Sequence, residues 1–247
     1  MFSGFCLKDY ARILRILWTV PLYLMVDSDY GDNVLHGYGQ ELAVVLIFIA
    51  FLYSYSKSNY RVRSIMLIGM AVGMAGELLF SLGLGMYHYR LDNVPLWLLF
   101  GHGLIFAAVY RISHSPAVWH HRERIQQGLV AFAIFYAFLW LILDNDWFGF
   151  LCTVVFLFIL FYAKRSRLFF LIMFVEVCYI EQVGTATGCW YWPEMTLGLF
   201  SWLPSGNPPS GVAVFYFLFD AVVSFIYLNI LNPKIKVRYQ RMLLRKL

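Results

Sequence analysis

Long apolar runs alternate with short polar segments over the whole chain. The runs are about 17 to 23 residues long, the length a helix needs to cross a bilayer core. They predict eight spans, at about 10–26, 38–56, 64–86, 95–111, 125–143, 147–163, 168–190 and 210–231. The fold class implied is all-α: a polytopic membrane helical bundle, one integral membrane domain over residues 1–247. Turn-forming residues fill the breaks, as in DSDYGDN after the first run and Asp144-Asn145-Asp146 after the fifth. One break is long, from Pro193 to Pro209. A segment of that length either folds over the outer mouth as a lid or lies in the membrane interface.

Composition agrees. The chain is 61% apolar and 13% charged, and soluble domains carry roughly twice that charge. The net charge of +5 reads as topology once it is mapped onto the spans. With a cytoplasmic N-terminus, the inner segments hold Lys8, Arg12 and Arg15; Lys57, Arg61 and Arg63; Arg111, Arg122 and Arg124; Lys164, Arg165 and Arg167; and the basic residues after Asn232. Only Arg90 falls outside. An even number of spans with both termini cytoplasmic satisfies the positive-inside rule and places the chain in the plasma (inner) membrane. The basic residues would meet anionic lipid headgroups; no nucleic-acid-binding surface is indicated. The first run lacks a small-residue cleavage site and reads as a retained span. Cys6, Cys152, Cys178 and Cys189 form no CxxC pair; buried free thiols are expected, although Cys152 and Cys189 lie toward the same side.

Ionisable residues inside the apolar runs mark functional candidates, because each is costly there. Span three carries Gly69, Gly73, Glu77, Ser81 and Gly85 in steps of four, a small and polar stripe along one helix. Span four carries His102, span seven Glu176 and Glu181, and span eight Tyr216 and Asp220. Glu176 and Glu181 stand about 140° apart around a helix and face different neighbours.

Two stretches match. The first runs from Glu77 through Met86-Tyr87-His88-Tyr89 to Asn93-Val94-Pro95, the second from Glu181 through Cys189-Trp190-Tyr191-Trp192 to Asn207-Pro208-Pro209. Each has an intramembrane Glu, a glycine-rich approach to the surface, an aromatic triplet, and an Asn-x-Pro that opens the returning helix. Duplicated halves, 1–124 and 125–247, would then be parallel repeats about an axis along the membrane normal. Glu77, His102, Glu181 and Asp220 all fall roughly seven to ten residues in from the outer helix ends, at a similar depth for a rise of about 1.5 Å per residue. If the halves face each other, these four line one polar pocket.

Several readings fit that pocket. Hydrogen-bonded pairs could simply pin helices, but such bonds average only about 0.6 kcal/mol in membranes, while a charge there costs several times more. As an enzyme, the chain would act on a hydrophobic lipid or isoprenoid. Low dielectric favours the protonated form of a carboxyl group, which suits Glu77 or Glu181 to general-acid work, with His102 as relay. A close Glu181–Asp220 pair would share one proton. Tyr87, Tyr89, Trp97, Trp190, Trp192 and Tyr216 would bind the substrate and face a developing cation; an interfacial aromatic belt accounts equally well for those at the outer ends. A proton-coupled small-molecule transporter is the second reading. A metal-dependent lipid hydrolase using His36, His88 and His102 with the carboxylates is the third. No cofactor is called for, and a metal ion enters only through the third reading. The inner His114, His120 and His121 complete no recognised ligand spacing and read as a solvated loop.

The series Glu77, Gly83, Gly85-Met86-Tyr87-His88-Tyr89 and Val94-Pro95 resembles the polytopic carotenoid hydratases of the bisanhydrobacterioruberin hydratase type. The resemblance covers about thirty residues. It lacks the Pro-Phe that precedes the Gly-x-Tyr motif in that family, and His102 has no counterpart in it. It implies addition of water across a terminal polyene double bond.

Overall fold

Uninterrupted apolar sequence leaves the backbone no partner but itself, so helices form wherever the runs occur. The computed structural model describes residues 7–163, 166–195 and 202–231; a few side chains within helices, that of Asp220 among them, fall outside the description. The long helices are α1 (Leu7–Asp27), α3 (Gly39–Ser56), α4 (Tyr60–Glu77), α5 (Trp97–Ser113), α7 (Arg122–Asp144), α8 (Trp147–Tyr162), α9 (Arg167–Ala186) and α10 (Ala213–Phe225). Each overlaps one predicted span. Four segments are long and apolar enough to cross a membrane: α3, α4 with its continuation to Gly83, α7 and α9. The rest are shorter or less apolar. Two short helices, α2 (Asp29–Val34) and α6 (Pro116–His120), occupy segments expected to be loops. Each is started by a serine: Ser28 accepts from the Gly31 amide and Ser115 from the Val118 amide.

The predicted ends of spans three and seven are corrected, and span eight reaches its predicted end as a π turn. At Glu77 α4 gives way to a wider π-helical turn, Leu78–Gly83, and α10 does the same over Ile226–Leu231. Span seven stops at Ala186 instead of running to 190. Both outgoing helices end on a glycine with positive φ, Gly85 (+60°) and Gly188 (+73°), a conformation glycine adopts without steric cost. Each chain then turns back into a two-residue strand, β1 (His88–Tyr89) and β2 (Trp190–Tyr191). The strands pair antiparallel, with His88 opposite Tyr191 and Tyr89 opposite Trp190.

Beneath the strands α4, α5, α9 and α10 pack around one another; α3 lies on α1 and α5, and α7 on α8 and α9. The predicted small-residue stripe is the reason α4 can come so close. A Cβ on Gly73 would run into the His102 ring, and one on Gly76 into Phe219. Next to β1, Arg90 pairs with Asp29 (3.4 Å), Asp32 (3.1 Å) and Asp27 (3.6 Å). The visible part of the 193–209 segment is tied down: the buried Asp146 accepts from the amides of Gly149, Gly206 and Ser210. Cys152, Cys178 and Cys189 are buried free thiols; Cys6 lies outside the described residues.

Candidate functional site

Glu77 is the last residue of α4 before the π turn. Within that turn the Ser81 hydroxyl donates to the Tyr87 carbonyl (3.1 Å), and the Met86 amide to Phe80 (2.9 Å). These bonds fold the outgoing chain back over its own helix, so the next two tyrosines point down at the carboxylate. Tyr87 and Tyr89 donate to Glu77 Oε2 at 2.5 and 2.6 Å. His102 Nε2 meets Oε1 at 2.9 Å. Both oxygens of Glu77 are therefore engaged. With the carboxylate as acceptor, Nε2 is assigned the proton, which leaves the neutral ring's lone pair on Nδ1. That atom is buried and carries no hydrogen bond among the described residues.

The second arm is assembled in the same manner. The Cys189 amide donates to Gly184 (2.9 Å) as the chain folds back over α9. Gly184 leaves room for the Trp190 ring, which a Cβ would strike. Trp190 and Trp192 donate their indole N–H to Glu181 Oε2 at 2.8 and 3.0 Å. Neither bond uses Oε1.

The arms interlock. Tyr87 packs on Trp192 with ring centroids 4.6 Å apart, and Tyr89 on Trp190 at 6.0 Å. Glu77, His102 and Glu181 are 5%, 1% and 8% exposed. All three line one cavity of about 60 Å³, together with Tyr87, Tyr89, Trp97, Trp190, Trp192 and Tyr216. At about 10–15 Å³ per water it has room for roughly four to six water-sized groups. His102 and Tyr216 face each other at 5.9 Å between centroids.

Nine of the ten residues singled out from sequence thus border a single space, and the tenth, Asp220, has a side chain outside the description. The interfacial-belt reading is overturned for Tyr87, Tyr89, Trp97, Trp190 and Trp192. All five are 4–9% exposed, because a buried carboxylate needs donors and these N–H and O–H groups supply them. The Trp97 indole, however, donates to Asp27 at 2.8 Å, tying α5 to the end of α1. Sequence reading missed Asp27. It also missed Phe80, Phe215 and Phe219, which complete the wall. Phe215 and Phe219 flank Tyr216 at helical spacing, a pattern that lipid-facing residues share. Glu176 lies apart from this cluster, with Oε2 buried and lacking a partner among the described residues. Among the described residues no three His, Cys, Asp or Glu side chains come together in a metal-binding group. His88 instead packs on Tyr191 at the strand pair, 5.3 Å between centroids.

No protein-family model, curated protein or solved structure matches the chain.

Proposed function

We propose that the protein is an eight-span membrane enzyme of two parallel four-helix halves, 1–124 and 125–247, that performs acid–base chemistry on an isoprenoid or similar apolar lipid. The observation that carries this reading is the pair of buried carboxylates, each roofed by two aromatic donors, on a shared cavity. The strand register supports the duplication. Tyr191 is the counterpart of His88 and faces it, and the Tyr89–Trp190 contact is mirrored by Tyr87 on Trp192. The Asn-x-Pro anchors place His102 and Tyr216 each seven residues after a proline, Pro95 and Pro209. Tyr216, instead of Asp220, is thus the counterpart of His102. The expected Glu181–Asp220 pair falls on a side chain outside the described residues.

The two halves then divide the work. Glu181 has one oxygen occupied by indoles and the other without a hydrogen bond among the described residues; it is the group suited to give a proton to a terminal double bond. Glu77 holds the histidine tautomer, and His102 Nδ1 takes a proton from the water that adds to the resulting tertiary cation. One proton enters and one leaves, so the net change is addition of a single water. This is the hydratase chemistry that the Gly-x-Tyr-x-Tyr and Val-Pro resemblance implies.

Expression in cells that accumulate an acyclic polyene should yield a product heavier by one water. Glu181→Gln and His102→Phe should abolish that product while the folded protein is still recovered. Full conversion by both variants would sink the proposal.

A further inference from the structure

Five polar hydrogens around the cavity point at its two carboxylates. The phenols of Tyr87 and Tyr89 and Nε2 of His102 are committed to Glu77, and the indoles of Trp190 and Trp192 to Glu181. Trp97 turns its N–H away to Asp27. No lysine or arginine among the described residues borders the space. A phosphate, sulfonate or carboxylate guest would find those five donors already committed and two acids facing it. A guest carrying positive charge would find Glu181 Oε1, without a hydrogen bond among the described residues and able to release the proton that the enzyme reading places on this carboxyl, among ring faces whose quadrupoles attract cations.

We infer that the cavity is a binding site for an organic cation at the end of an apolar chain, such as a tertiary or quaternary alkylammonium group. The size is suitable: a trimethylammonium head with its first methylene has five heavy atoms, within the roughly four to six water-sized groups that the cavity holds. The half-buried Ile105 on α5 and Ile180 on α9 form an apolar flank against which the tail lies. The aromatic box favours a diffuse, weakly hydrated cation over a bare metal ion, which would have to give up its water to enter. This inference concerns recognition and holds whether or not the protein turns a substrate over.

Hexyltrimethylammonium chloride, its uncharged isostere 2,2-dimethyloctane and sodium hexanesulfonate are titrated into the full-length protein in maltoside detergent and followed by calorimetry. The cation should bind saturably at one site, at least tenfold more tightly than either comparator. Glu181→Gln keeps an oxygen to accept from both indoles but removes the charge; it should weaken the cation tenfold or more. Asp29→Asn, on the outer surface, should not change it. Equal binding of the cation and the uncharged isostere by the unsubstituted protein overturns the inference, whatever the variants do. So does an undiminished affinity in folded Glu181→Gln. Loss of water addition in Glu181→Gln with cation binding retained would overturn this inference and leave the enzyme reading standing.

Discussion

At the scale of single residues, the glycines decide whether the carboxylate arms can be built. Gly73 and Gly184 each sit where a methyl group would strike a ring that the site needs, His102 in one case and Trp190 in the other. Overpacking of this kind costs about 1–3 kcal/mol. Gly128, on α7, has open space where its Cβ would be, and alanine in a helix interior gains about 0.5–1 kcal/mol over glycine. Gly73→Ala and Gly184→Ala should therefore lower the thermal midpoint in detergent, and Gly128→Ala should hold or raise it. The same direction for all three would contradict the packing. What sequence revealed at this scale was the identity of the expensive groups. Glu77, His102 and Glu181 stand out from apolar surroundings by chemistry alone. The inward turn of Tyr87, Tyr89, Trp190 and Trp192 was not legible. A ring at a helix end has the same sequence signature in a belt as over a carboxylate, and the choice depends on a backbone reversal at Gly85 and Gly188. Asp27 was hidden for a related reason: its partner Trp97 is seventy residues away along the chain.

At the scale of elements, the apolar runs located the eight long helices among the described residues, and the errors lie at their ends. The π turn after Glu77 and the early stop at Ala186 come from bonds made by the returning chain, which no helical period contains. The hairpin of α1 and α2 is held by Arg90, and that attachment should respond to pH. The Gly39 amide and the Arg90 guanidinium, each bonded to the Asp32 carboxylate, hold its pKa below the usual range. A depressed carboxylate stabilises the fold fully above its unfolded-state pKa and ceases to do so as pH falls through the folded value. Asp32→Asn should thus be less heat-stable than the parent near neutrality, and the difference should close as the pH is taken below the carboxylate range. A gap in midpoint that is the same at acid and neutral pH would show that Asp32 contributes nothing through its charge.

For the molecule as a whole, the strand pair sets how the cavity can be reached. His88–Tyr89 and Trp190–Tyr191 join the two glutamate-bearing segments by backbone hydrogen bonds directly above the site, like a seam sewn across its outer end. A carrier that opened to the outside would have to rip and resew that seam in every cycle. A protein whose guest slides in sideways from the lipid never has to touch it. Residues directly opposite in an antiparallel pair have Cα atoms about 4.5–5.5 Å apart, within disulfide reach. His88→Cys with Tyr191→Cys, oxidised, should therefore lock the seam and leave alkylammonium binding at its parental affinity. Binding restored only on reduction would mean that the guest arrives through the outer end. A seam that stays shut would have a practical side: a guest of the kind we propose would reach the site dissolved in membrane, so that its working concentration would be set by partition into the bilayer and not by solubility in water.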